Sequence, residues 1–163
     1  MKYYTGIGSR QCPEPILALM TDIAFYFRNK GYTLRSGGAS GADSAFEAGA
    51  GSNKEIFLPW KGFNKSKNPY IEIPDEAYKI AGEFHPVWDK LKNAVQRLHA
   101  RNVMQILGRD LKTPSSLVIC WTKDGKMIGG TAQALRIAKA CEIPIFNLAI
   151  KDVRNKLEEK IAA

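Results

Sequence analysis

Four short stretches of this sequence carry residue types that handle anions and sugars. The richest is Ser36-Gly37-Gly38-Ala39-Ser40-Gly41-Ala42-Asp43, a glycine turn ahead of a small-residue helix. Its glycines let a phosphate approach the main chain, and the helix start aims N–H groups at it. Arg10, just after Gly8-Ser9, can clamp a phosphate or carboxylate with its planar fork, or can be a plain loop arginine. Asp43 reads as a helix N-cap, as an early-turn carboxylate or as a ligand for a ribose hydroxyl. Glu47, one turn later, shares a helix face with Asp43; the pair is either an acid/base couple or part of a solvated face. Arg101 lies three residues after Leu98, at the edge of an apolar stripe, where a desolvated guanidinium needs an acid or an anionic ligand. His99 is expected to point away from that edge. Thr131 follows Gly129-Gly130 and either caps a helix or faces an anion. Trp60 and Phe63 either stack on a nucleobase or cover the core. His85 and Asp89 lack further ligands at metal spacing, so no metal site is expected, and no separate cofactor.

These residues need a scaffold. Tyr3–Gly8, Tyr32–Arg35, Lys54–Pro59, Ser116–Trp121 and Ile143–Leu148 read as strands, several of them apolar throughout. Between them, Ile16, Leu19, Met20, Ile23 and Phe27 recur at helical spacing, as do Trp88, Leu91, Val95 and Leu98. The second stripe predicts a helix from Trp88 to Leu107. Gly129-Gly130-Thr131 opens a helix through Cys141, and Val153, Leu157 and Ile161 mark a last one. Residues 60–87, rich in aromatics, lysines and prolines, read as a long functional loop with a short helix near Asp75–Ala81. The alternation implies one α/β domain over residues 1–163, with a mainly parallel sheet of five or more strands covered by helices on both faces. Ligands bind outside the carboxyl ends of such strands. Gly8–Arg10, Ser36–Asp43, Pro59–Asn64 and Gly129–Thr131 all fall there, and that convergence outweighs any single motif.

The chain has 163 residues and a formal charge of +8, from 24 Lys+Arg against 16 Asp+Glu. The excess favours anionic partners. It is spread along the chain, as on a solvated surface, more than gathered into a DNA-binding stripe. Cys12, Cys120 and Cys141 have neither metal nor disulfide spacing, and Cys120 sits in an apolar run as a buried thiol. No signal peptide or membrane-length apolar run is visible, so a reducing cytoplasm is the simplest compartment.

Gly6-Ile7-Gly8-Ser9-Arg10, Ser36–Asp43, Leu98-His99-Ala100-Arg101-Asn102 and Gly129-Gly130-Thr131-Ala132, in this order, resemble the SLOG superfamily. That group includes the Rossmann-like core of DprA (Smf) proteins and the LOG phosphoribohydrolases. The likeness runs from Tyr3 to about Leu148, and is strongest to short stand-alone DprA-like proteins of phages. It implies a Rossmann-like fold whose glycine loops hold a nucleotide, an ADP-ribose-like molecule or a cyclic nucleotide signal. It sets Arg101 on the arginine of the LOG His-x-Arg-Lys motif and on the first arginine of the DprA Arg-Asn-Arg segment. A homo-oligomer is also implied. The chain departs from LOG enzymes where their glycine loop is followed by a glutamate: Ala134 stands there, and Met127-Ile128 replace the first glycines.

The resulting expectation is a nucleotide-binding module more than an enzyme, one able to sequester a signalling nucleotide in phage–host conflict. Its ligand contacts are Gly8, Ser9, Arg10, Ser36, Gly37, Gly38, Ala39, Gly41, Asp43, Trp60, Phe63, Arg101, Gly129, Gly130 and Thr131. The alternatives are a nucleotide N-glycosidase drawing on Asp43, Glu47 or Arg101, and a single-stranded-DNA-binding protein.

Overall fold

Strands form where apolar and β-branched residues run together, and here they stack side by side in parallel. The computed structural model describes residues 1–163. Its five strands are β1 (Lys2–Gly8), β2 (Tyr32–Ser36), β3 (Lys54–Ile56), β4 (Val118–Trp121) and β5 (Ile145–Asn147). Six helices connect or follow them: α1 (Glu14–Asn29), α2 (Ala42–Ala50), α3 (Asp75–Phe84), α4 (Asn93–Leu107), α5 (Thr131–Ala140) and α6 (Lys151–Ala162). The strand order is β3-β2-β1-β4-β5, all parallel, with Thr5 opposite both Arg35 and Val118. This is the doubly wound Rossmann-like arrangement, an α/β fold with both sheet faces covered.

Alternation along the strands sorts the core into two layers. Tyr4, Leu34 and Ile119 face α1, α2 and α6, where they meet Met20, Ile23, Phe27 and Phe46. Tyr4 and Phe27 stack with centroids 4.8 Å apart. Ile7, Val118 and Cys120 face the opposite way, onto α3, α4 and α5, against Val103, Met104, Ile106 and Ile137. Cys120 is fully buried there, and burial pushes its thiol up to about 12, so it is inert. No helix is long and apolar enough to cross a membrane.

Polar side chains also fasten the layers. Arg35, 2% exposed, donates to Glu55 at 3.2 Å, to the Thr113 carbonyl at 2.6 Å and to Ser115 Oγ at 3.2 Å. Thr5 Oγ1 donates to the Gln105 carbonyl at 2.6 Å, tying the C-terminal half of α4 to the central strand.

Two expectations change. The helix read from Trp88 to Leu107 is broken: Trp88–Lys90 is a single tight turn, Leu91 and Lys92 are extended, and α4 begins at Asn93. The Trp88 ring packs by Gly82 of α3, so Trp88 belongs to that contact and not to a stripe along α4. The apolar spacing was real, but Val95 and Leu98 turn toward a cavity while Ala100, Val103 and Met104 make the buried face. The short helix near Asp75–Ala81 runs one turn further, to Phe84.

Candidate functional site

A cavity of about 530 Å³ lies at the carboxyl edge of the sheet. It opens where β1 and β4 adjoin, the point at which the strand order reverses. In doubly wound sheets the connections diverge there and leave a crevice. Gly8 pairs with Trp121, so Ser9-Arg10 and Thr122-Lys123 leave the sheet side by side. The Ser9 N–H donates to the Trp121 carbonyl at 3.1 Å, and the Ser9 carbonyl accepts from the Ala42 N–H at 3.4 Å. The loop after β1 is thereby tied to both neighbouring loops.

The loop after β2 forms the next wall. Gly41 has φ +79°, and a Cβ there would stand 2.8 Å from the Arg10 Cα, so only glycine lets the two loops touch. Asp43 is not the N-cap; Gly41 holds that place, and Asp43 sits in the first turn of α2. Its carboxylate reaches back to accept from the Ala39 N–H at 3.2 Å, closing the loop on itself. Asp43 is 5% exposed; burial pushes its carboxyl up to about 6, against the pull of Arg101 and of N–H donors in the loop.

Arg101 rises from α4 to meet this loop. It is 6% exposed and donates to the Gly37 carbonyl and, at 3.3 Å, to the Phe57 carbonyl. Burial lowers its guanidinium to about 10, with Asp43 acting the other way. No carboxylate pairs with it within ion-pair distance: the only two ion pairs are Arg35–Glu55 and Lys54–Glu47. The acid or anion that this position demands is supplied through backbone carbonyls and the nearby field of Asp43. A Cβ on Gly37 would stand 2.1 Å from Arg101 Nη1, so this close approach also requires glycine.

The remaining wall is Ile128-Gly129-Gly130-Thr131, at the start of α5. Asn102 Nδ2 donates to the Gly130 carbonyl at 3.2 Å and holds that turn against α4. Gly130 holds the N-cap position, so Thr131 is the first helical residue and lines the cavity at the helix N-terminus.

Among the residues singled out in the sequence, the cavity brings together Gly8, Ser9, Arg10, Ala39, Asp43, Arg101, Gly129, Gly130 and Thr131. Others lie apart from it. Ser36 is buried beneath, its hydroxyl donating to the Gly6 carbonyl at 2.6 Å. Gly38 faces a second, wholly polar cavity with Asn64, Lys67 and Asn68. Trp60 and Phe63 meet edge-on at 5.4 Å, and both pack on the core, with the Phe63 ring 5.5 Å from the Arg101 guanidinium. Phe63 lies against Arg101, Trp60 packs on Phe63, and neither ring lines the main cavity. No part of residues 60–87 lines that cavity. Glu47 binds Lys54 Nζ and Asn68 Nδ2, each at 2.8 Å, and faces the second cavity, so it forms no couple with Asp43.

His99, expected to point away, and Asn102, Gln105 and Thr122, given no role in the sequence, all line the cavity. His99 does not point away: it lies against His85, rings 4.7 Å apart, and burial with the nearby His85, Arg136 and Arg101 charges lowers it to about 4. Asn102 and Gln105 follow Arg101 by one residue and by one helical turn. A polar residue one turn from Arg101, among Val103, Met104 and Ile106, was the available signal. No group of three or more His, Cys, Asp or Glu side chains is placed to hold a metal ion.

Fold and site together define a Rossmann-like α/β protein with a polar crevice at its switch point. Among solved structures, DNA processing protein A from Helicobacter pylori, reported for its mode of binding single-stranded DNA, resembles it with a TM-score of 0.60. The match covers 98% of this chain and 72% of that one, at 19% sequence identity, and speaks for a shared fold. No protein-family model and no curated protein matches the sequence.

Proposed function

We propose that this chain binds a phosphate-bearing nucleotide or nucleotide-derived molecule in the crevice between the loops that follow β1, β2 and β4. The observation that carries the reading is the gathering of Arg10, Arg101 and the N-terminus of α5 around one cavity at the switch point. Phosphate sits best at the outer loops, against Ser9-Arg10 and Gly129–Thr131, where helix-start N–H groups and the exposed Arg10 guanidinium are free to meet it. With Trp60 and Phe63 turned away, Val95, Leu98 and Ile128 offer the apolar flank for a base. Sequestration of a signalling nucleotide suits a module that carries Ala134 in its wall where LOG enzymes carry a glutamate.

Single-stranded DNA is the second reading. It is favoured by the structural likeness to DNA processing protein A and by the +8 charge. Calorimetric titration with nucleoside mono- and diphosphates, ADP-ribose and cyclic dinucleotides tests the first reading; saturable one-site binding is expected, and no heat with any of them overturns it. Gel shift of a DNA oligonucleotide across a salt series tests the second: binding that weakens steeply with salt supports it, and no shift at low salt removes it. Chromatography of the same incubations reads any released base or sugar phosphate.

A further inference from the structure

The innermost wall of the crevice carries more polar chemistry than phosphate binding needs. Asp43, Arg101 and Gln105 converge there on Gly37. Gln105 is 3% exposed and lines the cavity, and its Nε2 lies so near Gly37 that a Cβ on that glycine would be 2.1 Å away. Its backbone is fixed: the carbonyl accepts from Thr5 Oγ1 at 2.6 Å and from Ser115 Oγ at 3.5 Å. Its carboxamide makes no hydrogen bond within the chain, although an unpaired amide is costly to bury. Neither amide atom is sealed off from the cavity, unlike His99 Nδ1, which is buried without a partner. The amide therefore lines the crevice, nearly buried, with its hydrogen-bonding capacity unused.

The neighbours decide what can meet it. A phosphate on this wall would set its charge beside the Asp43 carboxylate in a desolvated place, an unfavourable pairing. An uncharged hydroxyl meets all three groups: it donates to a carboxylate or amide oxygen and accepts from an amide or guanidinium N–H. Two adjacent hydroxyls would use the amide's donor and acceptor together.

We propose that Gln105, beside Arg101 at Gly37 and on the same cavity as Asp43, makes the crevice prefer ligands with the vicinal hydroxyls of ribose over their 2′-deoxy counterparts. The inference rests on the reading that a phosphate-bearing nucleotide-type ligand occupies the crevice. It makes Gln105 a specificity-determining residue and favours ribonucleotide-derived ligands over DNA.

The test uses the full chain and probes that do not depend on the base: ribose 5-phosphate, 2-deoxyribose 5-phosphate and inorganic phosphate, with AMP and 2′-deoxy-AMP alongside, by calorimetry. The ribose form should bind at least about tenfold more tightly than the deoxy form, because a buried polar wall rejects an analogue that leaves it unpaired. Q105L and Q105M, each checked for folding by thermal melting, should bring the two forms to equal affinity while inorganic phosphate binds as before. Equal binding of ribose and deoxyribose forms by the unmodified protein overturns the proposal and leaves the phosphate site standing. So does a preference that survives in a folded Q105L or Q105M. Binding of phosphate with neither sugar has the same consequence. Failure of every probe, phosphate included, overturns the proposal, and failure of ADP-ribose and the cyclic dinucleotides as well overturns the proposed function itself.

Discussion

Asp43 is ionised at neutral pH in a place that resists its charge, and replacing it with asparagine should stabilise the protein. An unfolded aspartate has a pKa of 3.8; in the fold burial raises it to about 6, a value that already includes attraction to Arg101. A raised carboxylate means that the native state holds more protons between those limits, so stability falls as pH rises through them. A shift of about two units corresponds to about 3 kcal/mol, fully present above pH 6 and absent below about pH 4. D43N keeps a carbonyl to accept from the Ala39 N–H and removes the charge. The variant and the parent should therefore be equally stable near pH 4, and D43N should be more stable by up to about 3 kcal/mol at pH 7.5. The parent curve alone will not show this, because His99 works the other way. Its folded pKa is lowered from 6.5 to about 4, so its contribution is present above 6.5 and is lost as pH falls. The difference between the two proteins cancels that term. Urea unfolding at pH 4, 5, 6 and 7.5 measures it. A D43N protein less stable than its parent at pH 7.5, or a difference that does not change with pH, would refute the reasoning.

R101M should lose about 2–4 kcal/mol of stability in urea unfolding, because the Gly37 and Phe57 carbonyls are orphaned and Asp43 loses its nearest positive charge. Retention of full stability would show that the guanidinium is not committed to the loop. G37A drives a methyl into Arg101 and Gln105 and should cost about 1–3 kcal/mol in the same assay while weakening ligand binding in calorimetry. E47Q should leave nucleotide binding unchanged, since Glu47 faces Lys54 and Asn68 on the far side of the loop; a large loss of affinity would place the ligand in the second cavity.

The strands and their parallel arrangement were legible because apolar runs alternate with helical spacing, and the glycine turns showed where the loops had to be tight; the order β3-β2-β1-β4-β5 comes from the structure. The gathering of Gly8–Arg10, Asp43 and Gly129–Thr131 followed from the rule that doubly wound sheets bind at their carboxyl edge, whereas Pro59–Asn64, placed there by the same rule, lies off the cavity, and Arg101 was marked by its place at the edge of an apolar stripe. Side-chain direction was not legible. Trp60 and Phe63 had the chemistry of a base platform, but packing against the core claimed both rings, Phe63 also against Arg101. Glu47 shares a helix with Asp43, yet Lys54 and Asn68 draw it away. Gln105 went unnoticed because a single glutamine in a helix carries no pattern; its meaning comes from Thr5 and Gly37, distant in sequence and adjacent in space. Arg35 likewise gave no sign that it bridges three segments.

The central strand completes itself in two stages separated by most of the chain. β2, some thirty residues downstream, can join one edge of β1 as soon as α1 has formed, with Tyr4 opposite Leu34. The other edge waits for Val118 and its neighbours. During synthesis a half-sheet with bare hydrogen-bonding groups must therefore persist until β4 emerges, and such an edge invites pairing with other chains. Thr5 and Ser115, joined at 2.8 Å, are the latch that closes it, and closing it is also what fixes Gln105 in the crevice. The closing of the central strand's second edge and the finishing of the binding wall are the same event.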